Sequence, residues 1–340
     1  MGYIGQLGSR ESLDHRGCRS LLNDIMRTVK CHGIALAEKI KENPKKYCKD
    51  IKTNVVAIVT LSRGRCGLSK GVTWYLVAMA VADLLVVIFQ VILINIFHIP
   101  RHPECNIVYT VGYMSVACSV WLTVAFTFDR TVAICFQKLK TRYCTEKGAA
   151  IVIAVVSVLS VLTNIPWYFT YHSLFCRTSF DFATSPVWAA FDWGHRILTP
   201  LIPFVLILVL NGFTVRHILM ASVVRRKLRG QRSGKGKDDP EMKNRRKSII
   251  LLFTISASFI LLWVTRVVIL SSMRITGRYV GRLTSDFVAD YLGTMLQLFS
   301  SCTNTFIYAV TQRMFREEVT NAVKYPFKAI LKFIKGYGES

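Results

Sequence analysis

The chain is poor in charge, and it is especially poor in acidic residues. Only 19% of its 340 residues are charged, and 20 Asp and Glu stand against 44 Lys and Arg. The 52% apolar content excludes a disordered protein, and ten cysteines are too few for a disulfide-stapled mini-protein. A net charge of +24 alone would suggest a nucleic-acid partner. The apolar residues come in long blocks instead, which indicates a membrane protein with no nucleic-acid partner.

Six charge-poor runs are long enough to cross a bilayer, which takes about 20 helical residues. They cover residues 71–99, 107–135, 148–171, 186–215, 248–273 and 287–310. A seventh apolar run, 54–61, has eight residues and is too short to span the bilayer alone. Spanning β-strands would be shorter and would alternate in polarity. The sequence therefore predicts an all-α membrane protein, a seven-transmembrane helix bundle whose first helix is truncated or wrongly assigned.

Lys and Arg are distributed unevenly between the two sets of loops. One set carries 25 of them, including those of the basic loop 216–247 and the C-terminal tail, and the alternate set carries five. The positive-inside rule places the first set in the cytoplasm. The basic excess is therefore a topology signal that also attracts anionic lipid. A multi-pass protein of the plasma membrane is expected.

The amino-terminal segment does not fit a bundle of seven full transmembrane helices. Residues 1–52 are polar and lack the apolar core of a signal peptide. The stretch before Asn54, KENPKKYCKDIKT, cannot continue a hydrocarbon-spanning helix, because each central Lys costs about 2.5–3.5 kcal/mol on insertion. Either an incorrect gene model replaces an apolar first helix, which we favour, or the product has six full spans and a cytoplasmic amino terminus. The predicted domains are 1–52, disordered or artefactual; 53–311, the membrane bundle; and 312–340, an amphipathic membrane-surface helix with a short tail.

One span carries a carboxylate, Asp83, near its middle. An ionisable group at that depth is expensive and marks a polar site by default. Other spans offer it oxygen-bearing partners, namely Ser119, Ser300, Ser301 and Asn304. Hard oxygen ligands that converge inside a bundle suit Na⁺ or a cluster of water molecules. Apart from such an allosteric Na⁺ we expect no cofactor, and no CxxC or His/Cys metal spacing occurs.

Three further features combine charge or sulfur with apolar surroundings. Asp129 and Arg130 end the third block among apolar neighbours, so that Arg130 can be held in one state and released in another, as in a switch. Arg266, buried three residues after Trp263, needs an anion, either Asp290 of the next span or a ligand. Two cysteines, Cys105 and Cys176, lie on the outer, oxidising face and are expected to form a disulfide.

Six motifs in register resemble the rhodopsin-like (class A) G-protein-coupled receptors. They are the mid-helix Asp83 in MAVAD, Cys105 placed 25 residues before Arg130, Cys176, Pro203, Trp263, and Asn304 with Tyr308 in NxxxY. The match runs from about residue 54 to residue 318. The sequence around the motifs, such as SVWLTVAFTFDR and NIPWYFTY, is similar to that of the orphan receptors reported to respond to tryptophan and phenylalanine.

The resemblance implies a seven-helix receptor and not an enzyme. An extracellular small molecule or peptide would shift a two-state bundle, whose cytoplasmic ends then engage a heterotrimeric G protein. By position, Tyr308 would join Asp129 and Arg130 in the coupling switch. The ligand pocket carried over by position consists of Tyr113, His195, Arg196, Trp263 and Arg266. An aromatic amino acid with its carboxylate on Arg266 and its ring against Trp263 would fit, and the missing acid at Gly112 argues against amines.

The departures from the family pattern keep other functions open. Thr131 stands where the family has Tyr, and Thr265 and Thr305 replace two helix-kinking prolines. A non-signalling receptor paralogue is the main alternative. A transporter or channel would suit intramembrane Asp and Arg, but the repeats and broken helices that such folds use are missing. An intramembrane hydrolase would need an HExxH or paired-Asp motif, and neither occurs.

Overall fold

We describe the protein from a computed structural model, which covers residues 44–63, 67–96, 105–172, 177–178, 182, 184–229, 240–276, 284–311 and 314–320. Most of these residues are helical. The α-helices are α1 (Pro44–Ser62), α2 (Lys70–Val86), α3 (Cys105–Cys135), α4 (Gln137–Tyr143), α5 (Glu146–Asn164), α6 (Pro186–Arg196), α7 (Ile202–Arg229), α8 (Pro240–Ile275) and α9 (Thr284–Thr311). A short antiparallel ribbon pairs β1 (Tyr171–His172) with β2 (Arg177–Thr178), with Tyr171 opposite Thr178.

Three helices change their winding along their length. A π-helix, Val87–Ile96, continues α2, and a 3₁₀-helix, Ile165–Thr170, continues α5. A π-turn, Ile197–Leu201, joins α6 to α7, so these two form the single fifth span that the sequence predicts. The π-turn contains Pro200, and Pro203 is the second residue of α7 after it. Proline lacks the amide hydrogen of a regular helix, which accounts for altered winding at this point.

Five helices in the described part of the chain are long and apolar enough to cross a membrane. They run over Lys70–Gln90, Asn106–Cys135, Glu146–Thr170, Pro186–Ala221 and Ile249–Met273. Each overlaps one predicted span, and helix α9 contains the sixth predicted span, 287–310. The predicted all-α membrane bundle is confirmed. The fourth, fifth, sixth and seventh spans of the bundle are thus α5, α6 with α7, α8, and α9.

The first helix is longer than the apolar pattern alone indicates. Helix α1 begins at Pro44, ten residues before Asn54, so residues 44–52 are helical and the expected disorder is wrong for them. Asn54, Ala57 and Leu61 are fully buried on one side of α1. Packing of this face supplies the stability that the Lys-rich sequence does not, since tertiary contacts routinely override local preference. Residues 1–43 lie outside the described part of the chain.

Two apolar clusters form the core. The Tyr308 cluster joins α1, α2, α3, α8 and α9 and includes Leu76, Met79, Phe126, Leu251 and Tyr308. The Trp263 cluster lies farther along the bundle and includes Val87, Val120, Ile207, Phe259 and Trp263. Helix α5, by contrast, leaves most of its apolar side chains exposed, as a lipid-facing helix does.

The predicted amphipathic helix after the bundle is described over residues 314–320 only. Phe315 is buried in the Tyr308 cluster, and Val319 packs against the same cluster. Met314 lies against Gly67, whose backbone has a φ of +66° and whose missing Cβ leaves room for the methionine sulfur. The apolar face of this segment therefore packs on the bundle.

Candidate functional site

Asp83 is the centre of a polar network that ties four helices together. Its carboxylate is fully buried in α2 and accepts a hydrogen bond of 2.6 Å from Ser119 Oγ of α3. A second bond of 2.8 Å comes from Asn304 Nδ2 of α9. Ser301 lies beside the carboxylate, and its backbone oxygen accepts a bond of 3.4 Å from Asn54 Nδ2 of α1. The structure thus brings together four of the five residues predicted for this network.

The fifth residue, Ser300, lines a small cavity beside the network. The cavity admits the centre of a water-sized sphere over about 10 Å³, which is room for about one water molecule or ion. Ser119, Ser301 and Asn304 also line it, and Trp263 lies on its wall. Its remaining lining residues are Val86, Val116, Thr123, Phe259 and Gln297. The cavity therefore joins the polar network to the tryptophan that the sequence placed in the ligand pocket.

Gln297 was not predicted for this site. It lies in α9, and its side chain is 9% exposed. Asn304 follows it after seven residues, which is about two helical turns, so both residues lie on one face of α9. That spacing was the signal in the sequence that could have identified it.

Asp129 and Arg130 form a buried ion pair at the end of α3. The Asp129 Oδ2 atom accepts a 3.0 Å hydrogen bond from Arg130 Nε and a second bond from Arg130 Nη2. Their side chains are only 9% and 10% exposed. A charge-assisted pair of this kind holds the guanidinium in place. In the switch predicted from the sequence, this pair would be the arrangement in which Arg130 is held.

The loop after α3 covers this pair with Cys144. Its thiol donates to the backbone oxygen of Asp129 at 3.5 Å. Burial and the Asp129 carboxylate raise the pKa of the Cys144 thiol to about 11, so the thiol stays protonated and can donate. The loop is thereby fastened to the residue that holds Arg130.

Tyr308, the third residue of the predicted switch, makes no hydrogen bond to the ion pair among the described residues. It is fully buried in the Tyr308 cluster, and its ring centroid is 6.1 Å from that of Phe315. Its hydroxyl has no hydrogen-bond partner among the described residues. A buried hydroxyl without a partner is costly.

Six side chains form an aromatic cluster at the opposite end of the bundle from Arg130. Tyr113 stacks on Trp167 with 4.4 Å between ring centroids, and the edge of His195 meets Trp167 at 5.1 Å. The other members are Phe182, Trp188 and Phe191. Trp167 is 6% exposed, and its Nε1 atom has no hydrogen-bond partner among the described residues. Tyr113 and His195 were predicted as pocket residues from the sequence, whereas Trp167 was not.

Hydrogen bonds fix the tautomer of His195. Its Nε2 atom lies 3.1 Å from Asn164 Oδ1 and 3.2 Å from Thr199 Oγ1. Asn164 Nδ2 donates to the Ser160 oxygen at 2.7 Å, which turns the amide oxygen towards His195. Because an amide oxygen only accepts, Nε2 must carry the hydrogen. The other ring nitrogen is then left as an acceptor.

Arg196 is paired with Asp192, which was not predicted as a site residue. The guanidinium donates to Asp192 Oδ2 from Nε at 3.1 Å and from Nη2 at 3.0 Å. Both side chains are buried. The two residues are one helical turn apart, which brings their side chains together and was the missed signal. Arg196, predicted as a ligand contact, is therefore held within its own helix.

Trp263 and Arg266 lie on α8 and face α9. The Trp263 ring is buried, with its centroid 5.4 Å from that of Phe259. Arg266 packs against Gly293 so closely that an added Cβ there would lie 3.1 Å from the arginine Cα and 3.3 Å from its Cδ. Asp290, the predicted alternative partner, precedes Gly293 by about one turn, but its side chain lies outside the described residues.

The predicted disulfide also falls outside the described part of the chain, because the side chain of Cys105 and all of Cys176 do. Cys118, Cys135 and Cys144 are free thiols. Among the described residues, no group of three or more His, Cys, Asp or Glu side chains could hold a metal ion.

The comparisons with known proteins agree on one family. Residues 53–308 match the sequence pattern of the 7 transmembrane receptor (rhodopsin family). The chain is 26% identical over 259 residues to the mouse (Mus musculus) protein named probable G-protein coupled receptor 142, an alignment that covers 73% of this chain and 64% of that protein. It is 24% identical over 259 residues to the C5a anaphylatoxin chemotactic receptor 1 of Oncorhynchus mykiss, covering 75% and 72% of the two chains. The chain thus spans less than two thirds of the length of the mouse relative.

Proposed function

This chain belongs to the rhodopsin family of seven-transmembrane receptors, whose members are not enzymes, and we propose that it carries an extracellular signal to a heterotrimeric G protein. In this proposal a small molecule or peptide binds at the outer end of the bundle. It shifts the bundle between two states by binding one of them more tightly. The cytoplasmic ends of α3, α7 and α8 then engage the G protein at the plasma membrane.

The observation that carries the proposal is the cavity between Trp263 and the Asp83 network. Trp263, a residue of the proposed ligand pocket, lines this small cavity. Residues of the polar network that ties four helices together line it too. A change at Trp263 therefore alters the surroundings of Ser119 and Asn304, both of which bond to Asp83. Packed interiors respond to such changes by discrete rearrangement because they leave little free volume.

For the ligand we propose an aromatic amino acid or a small peptide that carries one. The Arg266 guanidinium would bind the carboxylate of the ligand. The aromatic ring of the ligand would lie between Trp263 and the aromatic cluster. Trp167 Nε1 offers a buried donor to an oxygen of the ligand. A biogenic amine is disfavoured, because Gly112 lacks the acid that amine receptors carry and Gln90 fills the space beside it, 3.1 Å from an added Cβ.

For the Asp83 network we propose an allosteric Na⁺ site. A carboxylate, two serine hydroxyls and the oxygen of an asparagine amide form an all-oxygen donor set, which suits a hard cation. The adjoining cavity has room for about one ion or water. A bound cation would neutralise the buried carboxylate and favour the packing in which Ser119 and Asn304 face it.

A non-signalling receptor is the second candidate, and one feature of α8 favours it. Helix α8 runs over 36 residues from Pro240 to Ile275 as a single α-helix. Thr265 stands where the family has a kinking proline, and straight helices lack the hinge that such a proline provides. A receptor of this kind would bind its ligand without G-protein activation.

A ligand panel separates the two candidates. Cells that express the chain are given L-tryptophan, L-phenylalanine and short aromatic peptides, and dissociation of reporter G proteins of each class is recorded. The proposal predicts a response to at least one aromatic ligand that Arg266→Gln removes at equal surface expression. Saturable binding without a response from any G-protein class would favour the non-signalling receptor, and absence of both would refute the proposed ligand class.

A further inference from the structure

A short helix with no buried side chain connects two membrane spans at the end of the bundle that carries Arg130. Helix α4 (Gln137–Tyr143) follows α3 after one residue, and all of its residues are exposed. The span before it ends at Cys135, and the next span begins at Glu146. Seven of the ten residues between them are helical, which is a length of about 10 Å. The connection therefore stays close to the surface of the bilayer.

Three large apolar side chains of this connection form one exposed stripe. Phe136, Leu139 and Tyr143 are 53%, 42% and 58% exposed. They are separated by three and four residues, so they lie on one side of the helix. Exposed apolar side chains that recur with the helical period are typical of a helix that lies in the membrane interface. We call these three side chains the α4 stripe.

Basic side chains border the α4 stripe on both sides. Each residue of an α-helix is rotated by about 100° from the one before it. On this scale Lys140 and Arg142 lie at the two edges of the stripe, about 70° and 90° from its centre. Lys138 lies about 130° from the centre and points away from the stripe. Residues 136–143 contain no acidic residue, so the edges of the stripe suit an anionic surface.

The contacts of Trp74 indicate the level of the membrane interface beside α4. The Trp74 indole is half exposed at the start of α2, and its Nε1 atom donates to Glu146 Oε1 at 3.3 Å. Glu146 also pairs with Lys70 Nζ at 3.4 Å. A tryptophan with an exposed ring and a bonded N–H is typical of the headgroup level of a bilayer. Because Tyr143 ends α4 three residues before Glu146, the helix ends close to that level.

Hydrogen bonds to α3 hold both ends of α4. At its start the backbone N–H of Phe136 donates to the Val132 oxygen at 2.9 Å. Just after its end the Cys144 thiol donates to the Asp129 oxygen at 3.5 Å. Helix α4 is therefore held beside α3 while the α4 stripe remains exposed.

We propose that α4 is a docking site for the anionic phospholipids of the bilayer that the chain spans. The α4 stripe enters the boundary between headgroups and acyl chains, and Lys140 and Arg142 bind the headgroup phosphates and carboxylates. Their methylene groups cover the apolar boundary while the charges stay among the headgroups. The proposal takes from the proposed function only that this end of the bundle is cytoplasmic, where anionic lipids are concentrated.

A protein partner is the other occupant that an exposed apolar stripe could have. Two observations favour lipid, namely the basic side chains along both edges of the stripe and the interfacial tryptophan next to the end of α4. Lipid is also present at this level whether or not a protein binds.

The test measures amide hydrogen exchange of α4 in the purified full-length chain, without ligand or G protein. The chain is placed in nanodiscs of phosphatidylcholine and in nanodiscs of an equal mixture of phosphatidylcholine and phosphatidylserine. Each basic residue near an anionic surface contributes about 5-fold to binding, so the amides of residues 137–143 should exchange about 5- to 30-fold more slowly in the mixture. High salt should remove most of this difference, because it screens exposed charges.

Two variants form a matched pair, since each removes one positive charge from the same helix. Lys140→Gln should reduce the slowing by about 5-fold, whereas Lys138→Gln, on the side away from the stripe, should change it by less than about 2-fold. Leu139→Gln keeps a good helix former but removes the apolar side chain, and it should abolish most of the slowing. Unchanged exchange of α3 in the same digest shows that each variant is folded.

Equal exchange in the two lipids would overturn the proposal, as would equal effects of Lys138→Gln and Lys140→Gln. Protection that appears in either lipid only after a G protein is added would also overturn it and would assign the α4 stripe to a protein partner. Slower exchange in the anionic lipid that Lys140→Gln and Leu139→Gln reduce supports the proposal. Because the assay needs no signalling, this result stands even if the chain activates no G protein.

Discussion

Replacing Asp83 separates the structural contribution of its carboxyl group from that of its charge. In Asp83→Ala the two donors that bond to it, Ser119 Oγ and Asn304 Nδ2, lose their acceptor inside a fully buried site. In Asp83→Asn both bonds can persist. The new amide oxygen accepts from Asn304, and the new amide hydrogens bond the Ser119 oxygen, which can accept as well as donate.

The magnitudes follow from this count of bonds. Each buried donor left without a partner costs about 1–3 kcal/mol, and removal of a buried charge returns part of that cost. We therefore expect Asp83→Ala to lower the free energy of unfolding by about 2–4 kcal/mol. Asp83→Asn should cost less than about 1 kcal/mol, because it loses no hydrogen bond.

The assay is thermal unfolding of the detergent-solubilised receptor, with NaCl replaced by a salt of a bulky organic cation at constant ionic strength. Sodium should raise the melting temperature of the wild type, because a cation that binds the folded state alone stabilises it. It should have no effect on Asp83→Asn, which keeps the fold but not the charge. Equal destabilisation by Asn and Ala would refute the hydrogen-bond reasoning, and a sodium effect retained in Asp83→Asn would refute the cation site.

Three further predictions concern the outer half of the bundle. Peptide mapping without reductant should recover Cys105 and Cys176 as a disulfide, and two free thiols would contradict their placement on the oxidising face. Arg266→Gln should abolish the agonist response at normal surface expression, whereas an unchanged dose–response curve would exclude Arg266 as the ligand anchor. Asp192→Asn should lower stability by about 3–5 kcal/mol, because it removes the negative charge that faces the buried Arg196 guanidinium. Adding Arg196→Gln should recover much of that loss in a melting experiment, and a double variant as unstable as the single would show that the pair is not coupled.

The sequence was sufficient for the bundle because lipid imposes a simple rule. A spanning segment must satisfy its backbone internally and expose apolar side chains, and both requirements are visible as long charge-poor runs. The first part of the first helix could not be predicted from this rule. The Lys-rich residues 44–52 have no apolar run, so their helical conformation depends on packing of α1 against α2 and α9, which sequence periodicity does not report.

The site could be predicted where it contains a residue whose burial in the membrane costs free energy. Asp83 stood out because a carboxylate is rare at that depth, and its partners followed from the polar residues of other spans. Trp167 was missed because an aromatic residue in an apolar run has no distinguishing pattern. Its contacts with the rings of Tyr113 and His195 arise from the three-dimensional packing alone.

The most direct test of the receptor assignment is nucleotide exchange on purified G proteins by the purified chain, with and without Arg130→Ala. The account predicts agonist-dependent exchange on at least one G-protein class by the wild type. Arg130→Ala should abolish exchange and leave agonist binding intact, since Arg130 pairs with Asp129 at the opposite end of the bundle from the aromatic cluster. Exchange that persists at the wild-type rate in Arg130→Ala would contradict the account.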